Sequence, residues 1–215
     1  LNPTPFSVQD PLFMRDIGFY VFQFPFLMHL NGWLKFVLIV TVAATGFLYL
    51  VRRSFLFIPP RIWKIAPAAR IHLSILVAFF LIWGVFGTWL DLNELLFTKR
   101  GVVFGPGYTD VTTQLWVLKL MMGLYGLAAL AVLFFAVRPE WRIPAAAIVL
   151  LILVSVLGRG IYPSLIQKFQ VVPNEIVAEK PYLEKNIQYT RLAYGLTQME
   201  EQEFPTEEIL TARDL

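Results

Sequence analysis

The sequence predicts an all-α integral membrane protein with four transmembrane helices, an N-terminal interfacial segment and a short extracytoplasmic C-terminal segment. Three observations carry that class. Of the 215 residues, 57% are hydrophobic and only 15% charged, where a soluble chain carries about 25% charged residues. The few charges leave four long apolar gaps, and after Pro163 the chain turns polar and acidic. The same composition excludes disorder. With no Cys there is no disulfide scaffold and no thiolate metal or redox site. The balance of 18 Lys+Arg against 15 Asp+Glu, a net of +3, gives no reason to expect nucleic acid.

The gaps are residues 36–51, 71–90, 120–137 and 143–158, of 16, 20, 18 and 16 residues. A bilayer core about 30 Å thick needs about 20 helical residues. Flanking apolar residues supply the shortfall, because Lys35, Lys119 and Arg159 can snorkel from the ends. The predicted spans are therefore about 33–51, 71–90, 115–137 and 143–163, forming one transmembrane domain over 33–163. A fifth charge-free interval, 17–34, is separated from the first span by Lys35 alone and cannot be a span of its own, since two spans cannot reverse across one residue. Residues 1–32 therefore read as an extracytoplasmic or interfacial segment. Its Phe-rich part (Phe19, Tyr20, Phe22, Phe24) is expected to be extended or interfacial, ending at Pro25, which suits the first turn of a long helix. Asp10-Pro11 reads as the N-cap and first residue of a short helix. No basic region and cleavage site precede an apolar core, so there is no signal peptide, and a start at Leu1 reads as a fragment of a longer protein.

Orientation follows from the short loops. Arg52, Arg53, Arg61, Lys64 and Arg70 crowd the first loop without an acid, and Arg138 and Arg142 bracket the third. The second loop sets Lys99 and Arg100 against Asp91, Glu94 and Asp110. The positive-inside rule then puts loops one and three in the cytoplasm and both termini outside. Trp33, Trp89 and Trp116 fall at the outer interface and Trp63 and Trp141 at the inner one, leaving Trp83 mid-span.

Residues 164–215 hold five Lys+Arg and nine Asp+Glu, a water-soluble stretch. Pro181 is placed to open a helix reaching about Tyr194, with Leu183, Ile187 and Leu192 as an apolar stripe and Gly195 as its C-cap. So short a segment cannot build its own core and must pack on the membrane domain or a partner.

Several blocks resemble a known family in one order along the chain. They are Asp10-Pro11-Leu12-Phe13, Arg15 to Tyr20, and Pro25-Phe26-Leu27, then Arg100 through Val102 to Asp110. Gly160-Ile161-Tyr162-Pro163, Pro173-Asn174-Glu175, Asn186-Ile187 and Tyr194-Gly195-Leu196 follow. Together they are similar to uncharacterised protein family 0182, large multi-pass membrane proteins of bacteria. The resemblance implies that further helices precede these four and that a large extracytoplasmic domain follows. It implies no activity and no catalytic residue.

Among candidate sites, Asp91, Glu94, Lys119 and Arg159 fall at similar depth near the outer ends of their helices. Charges there pair or snorkel, because an unpaired one costs up to about 3 kcal/mol at helix centre. An acid of this set is expected to pair with one of the two bases as a structural clasp, the alternative being a polar binding site or ion entrance. His29 and His72 are the only imidazoles and the only candidates for a haem or pigment ligand. They lie near opposite faces, so they cannot share one iron, and ordinary hydrogen bonding is the plainer reading. The glycine-rich loop 101–110 lacks the GKS/T ending of a phosphate cradle and reads as tight turns, with Asp110 or Thr112-Thr113 available to cap the third helix. Gly84-xx-Gly87 and Gly123-xx-Gly126 offer small surfaces for close helix approach. No catalytic triad, zinc-binding HExxH or metal set is visible, and no cofactor is implied.

These residues favour a structural anchor or accessory subunit that organises an extracytoplasmic domain or a membrane complex, with membrane lipid and protein partners. The alternatives are a transporter or channel component and an outer-face enzyme whose catalytic part lies elsewhere.

Overall fold

The computed structural model describes residues 4–52, 54–58, 62–101 and 103–199. Four helices are long and apolar enough to cross a membrane. A chain in hydrocarbon must satisfy its backbone polar groups internally, and the helix does so within one segment. The first helix is α1 (Phe24–Val51), entered through a π-helical turn at Phe19–Gln23. After a ribbon of two antiparallel strands, β1 (Phe55–Ile58) and β2 (Ile62–Ile65), comes α2 (Pro67–Glu94) with a 3₁₀ turn at Leu95–Phe97. A π-helical turn at Asp110–Gln114 leads into α3 (Leu115–Val137). Then α4 (Arg142–Val156), α5 (Tyr162–Ile166) and α6 (Glu175–Ala193) follow almost without interruption. The class is all-α, with the ribbon as a small addition in the first loop. Arg53, Arg61 and the side chains of Trp63 and Lys64, on which the orientation partly rests, lie outside the described residues. So do Val102 and residues 200–215.

Proline sets several boundaries. Pro25 and Pro67 occupy the first turns of α1 and α2, where a missing N–H costs nothing. Ala66 and Arg138 are held extended before Pro67 and Pro139, so α2 cannot start earlier nor α3 run on.

From α1 to α4 each helix packs on the next in sequence, and α2 with α3 is the most extensive pairing. The core there is Ala78, Leu81, Ala128, Ala129, Val132 and Leu151. Two glycines of α2 serve different neighbours. A Cβ on Gly84 would lie 2.6 Å from the Tyr125 ring of α3, and one on Gly87 would lie 2.6 Å from Lys35 Nζ of α1. Gly123 and Gly126 of α3, expected to offer a similar surface, meet nothing within 4 Å. Lys35 reaches the α1–α2 interface beside the buried Asn31, whose Oδ1 has no hydrogen-bond partner.

Three local expectations are corrected. Phe19–Gln23 is helical, not extended, because Tyr20 and Phe24 bury against Leu90 and the helix carries them there. Asp10-Pro11 opens a turn, not a helix: the Asp10 carboxylate accepts from the N–H groups of Leu12, Phe13 and Arg15, and Met14 at φ 56° closes the turn. Pro181 lies inside α6; the proline near the start is Pro173, in the 3₁₀ turn Val172–Asn174. Gly195, at φ 68°, follows the end of α6 in the left-handed conformation that ends helices.

Candidate functional site at the capped end of the helices

The helices overshoot a bilayer. Phe19–Val51 has 33 residues and Pro67–Phe97 has 31, close to 50 Å each at about 1.5 Å per residue. The surplus turns at one end carry a cap made of three stretches: residues 6–20, the loop 98–109, and α6. At Asn174 (φ −140°, ψ 44°) the chain leaves helical geometry, and α6 lies across the loop.

Asp10 organises the first stretch. Besides its three backbone donors it accepts from Tyr20 Oη at 3.0 Å, and the residue is buried. Asp16 accepts from the N–H groups of Phe6 (3.0 Å), Ser7 (2.9 Å) and Gly18 (2.7 Å). The Phe6 bond contributes most to holding that carboxyl below its ordinary value, against the opposing effect of burial. The Arg15 guanidinium lies 4.9 Å from the Phe19 ring and 4.8 Å from the Trp89 ring, tying the segment to the end of α2.

Asp110 organises the loop and does not cap α3. At 1% exposure it accepts from Thr98 Oγ1 (2.7 Å), Arg100 Nη1 (3.2 Å) and the Gly107 N–H (3.3 Å). Thr112 Oγ1 donates to the Tyr108 carbonyl, and no side chain caps the turn into α3. Glu179 of α6, only 3% exposed, drops into the same loop: its carboxylate accepts from the Tyr108 N–H at 3.1 Å, over Gly107. A Cβ on Gly107 would lie 3.0 Å from both carboxylate oxygens. Burial raises the Glu179 carboxyl above its ordinary value; the Tyr108 N–H opposes this, and the charges of Asp110 and Glu175 reinforce it. Asn186 Nδ2 donates to the Phe104 carbonyl (2.9 Å) and Tyr189 Oη to the Gln9 carbonyl (2.8 Å). Lower down, Thr109 Oγ1 donates to Gln167 Oε1 (2.5 Å).

Two cavities open here. The larger, about 430 Å³, lies between residues 10–20, 96–111 and 181–189. The smaller, about 210 Å³, has a wall of mixed polar and apolar groups and holds the predicted charge cluster in part. Arg159 Nη2 donates to Asp91 Oδ2 at 2.6 Å, and Glu94 lines the same cavity. Gln114 Nε2 reaches the Arg159 carbonyl at 3.4 Å, while its Oε1 has no partner. Lys119 stays apart, its Nζ 5.1 Å above the Trp116 ring. The two histidines are not brought together. His29 is exposed in the second turn of α1, and His72 Nδ1 hydrogen-bonds Tyr49 Oη (3.1 Å). The 20 residues from His29 to Tyr49 put about 30 Å of helix between those levels. No group of three or more His, Cys, Asp or Glu among the described residues is arranged to hold a metal.

Missed from sequence were Glu179, Tyr189 and the larger cavity. Glu179 is one acid among several in this polar stretch, and nothing local marks it as buried. The cavity draws on four of the blocks that carry the family resemblance: Asp10 to Leu12, Ile17 with Tyr20, Val103 to Pro106, and Asn186. A profile of the uncharacterised protein family UPF0182 matches residues 1–215. The chain belongs to that family. It is 39% identical over 219 residues to a UPF0182 protein of Pelotomaculum thermopropionicum, matching 100% of this chain and 23% of the relative. A UPF0182 protein of Cupriavidus necator is 41% identical over 210 residues, 97% of this chain and 23% of its own length. One from Thermobifida fusca is 36% identical over 220 residues, 100% of this chain and 21% of that protein. The chain thus spans under a quarter of the length of these curated relatives. No solved structure matches it.

Proposed function

We propose that this chain is a membrane anchor: a multi-pass module of the bacterial cytoplasmic membrane that holds an extracytoplasmic domain, or a larger membrane complex, in a fixed orientation. The capped end is extracytoplasmic in this reading, and both ends of the chain lie on that side. The supporting observation is the fastening of α6. The chain leaves the fourth membrane helix, bends at Asn174, and is tied to the loop by Glu179 and Asn186 and to the N-terminal segment by Tyr189. A tail held at three places transmits orientation, whereas a free tail acts only as a tether. Protein partners then bind at or beyond the cap.

The test is native purification of the full-length protein from its own membranes. A stoichiometric assembly that dissociates when Tyr189→Phe and Glu179→Lys are combined supports the anchor. A monomer that carries a substrate across liposomes overturns it. Orientation is checked with single cysteines replacing Ser7 and Arg142: an impermeant maleimide applied to intact cells labels the first and not the second.

A transporter component is the second reading, and one observation favours it. Lys35 lies beside Asn31 at the α1–α2 interface without an acidic partner among the described residues, and ionisable groups between membrane helices commonly serve transport. Flux lost in Lys35→Met would support that reading over the anchor.

A further inference from the structure

The larger cavity at the capped end has a chemistry distinct from the rest of the cap. Its wall is largely apolar, with Leu12, Ile17, Leu96, Phe97, Val103 and Phe104 contributing. Three polar side chains on the wall are already engaged: Asp10 by three backbone N–H groups and Tyr20, Asn186 by the Phe104 carbonyl, Tyr189 by the Gln9 carbonyl. A polar ligand group pushed into its depth would lose water and gain little, at a cost of about 1–3 kcal/mol per unpaired group. An apolar chain would lose nothing there. One lining residue has a different character. Lys185 of α6 is exposed, and no hydrogen bond or ion pair among the described residues holds its ammonium.

An apolar interior with one cation at its edge that is unpaired among the described residues is complementary to a molecule with one hydrocarbon chain and one anionic head. The volume agrees: about 430 Å³ lies toward the small end of ligand cavities, which run from about 300 to 1,000 Å³, and suits one chain better than two. Position agrees as well. Leu96 of the wall also packs on the Tyr20, Phe24 and Leu90 cluster beside Trp89, so the cavity adjoins the aromatic level where apolar helix meets cap. Asp10, the other charged group on the wall besides Lys185, is buried with its oxygens occupied, which sets the anionic head at the Lys185 side.

We propose that this cavity binds a single-chain anionic amphiphile, a fatty acid or a lysophospholipid, with the acyl chain between the N-terminal segment and α6 and the carboxylate or phosphate on Lys185. This goes beyond the anchor role and does not depend on it. The test uses the full-length protein in detergent-free nanodiscs with radiolabelled oleate, oleoyl lysophosphatidate and oleyl alcohol as probes. Oleate is expected to bind saturably at one per chain, and oleyl alcohol about tenfold more weakly. Lys185→Glu should weaken oleate about tenfold and leave the alcohol unchanged, while Lys185→Arg restores oleate. Ile17→Trp, which fills the cavity, should abolish both. The stronger of oleate and lysophosphatidate identifies the head group. Absence of saturable binding by the parent protein overturns the proposal, as does equal affinity for oleate and the alcohol, or oleate binding indifferent to both Lys185→Glu and Ile17→Trp. Because Lys185 is exposed, its variants separate loss of the ligand from loss of the fold.

Discussion

Among the described residues, two side-chain hydrogen bonds join neighbouring helices at the ribbon end: Tyr49 Oη with His72 Nδ1 between α1 and α2, and Arg70 Nε with the Ala136 carbonyl between α2 and α3. At the capped end, the buried carboxylates of Asp10 and Asp110 each organise one stretch from within, and Glu179, Asn186 and Tyr189 of α6 join the three stretches, through Tyr108, Phe104 and Gln9. Both ends close loops between apolar helices, so the apolar helices do not account for the difference. A connection that only reverses the chain needs little fastening. Buried charge is costly unless it is hydrogen-bonded throughout, and among the described residues it gathers at the capped end, which marks that end as built for more than reversal.

The sharpest way to break the contrast is at Asp10. Replacing it by Ala leaves three backbone N–H groups and the Tyr20 hydroxyl without their acceptor in a buried place. Orphaned donors cost about 1–3 kcal/mol each, so a loss of about 3 kcal/mol is expected after partial rehydration. Thermal unfolding in nanodiscs should register it, with amide exchange rising through residues 10–20 and 181–189 and not at the ribbon. An unchanged midpoint would mean that the cap is not held through Asp10.

A lesson about both ends comes from midway between them. Gly84→Ala puts a Cβ 2.6 Å from the Tyr125 ring, and overpacking of this kind costs about 1–3 kcal/mol. Because α2 and α3 are the central pair, exchange should rise at both ends together. Adding Tyr125→Ala should recover part of the loss, since the two residues are in contact and their effects are not additive. Equal and independent losses from the two substitutions would mean that Gly84 and Tyr125 do not meet.

Glu179 gives the cap a pH dependence that the ribbon end lacks a counterpart for among its described contacts. Its carboxyl is raised by burial, so the folded cap favours the protonated form. Such a group stabilises the fold fully below the unfolded value and loses that contribution as pH rises through the folded one. The α6–loop contact is therefore tightest in acid and loosens as pH climbs above the ordinary glutamate value. Exchange at residues 103–109, corrected for intrinsic rate, should rise severalfold between acid and neutral pH in the parent and stay flat in Glu179→Gln. A cap that loosens in acid would refute the assignment.

The four helices were legible because charge gaps measure length, and length is what a bilayer selects. Depth along a helix is equally readable from residue counts, which set Asp91, Glu94, Lys119 and Arg159 at one level. Azimuth is not readable that way, and it is azimuth that points Lys119 at Trp116 while Arg159 reaches Asp91. The helical conformation of Phe19–Gln23 and the interior position of Pro181 depend on contacts made by distant residues, which outweigh local propensity. Glu179 meets Tyr108 across 71 residues, and Tyr189 meets Gln9 across 180. No periodicity encodes such pairs, so the cap and its cavity were invisible where the spans were plain.

The smallest expected effect is at the ribbon end itself. The Tyr49–His72 contact is exposed, joining two helices that already pack on each other. Hydrogen bonds of this kind add about 0.5 kcal/mol, because water or lipid headgroups replace either partner. Tyr49→Phe, His72→Ala and their combination should each leave thermal stability within about 0.5 kcal/mol of the parent, and the double-mutant coupling should be no larger. Amide exchange at the cap should not respond, since about 30 Å of helix separates His29 from the Tyr49 level. A coupling above about 2 kcal/mol would place the ribbon end on the same footing as the cap, and buried charge would then no longer explain why only one end is elaborated.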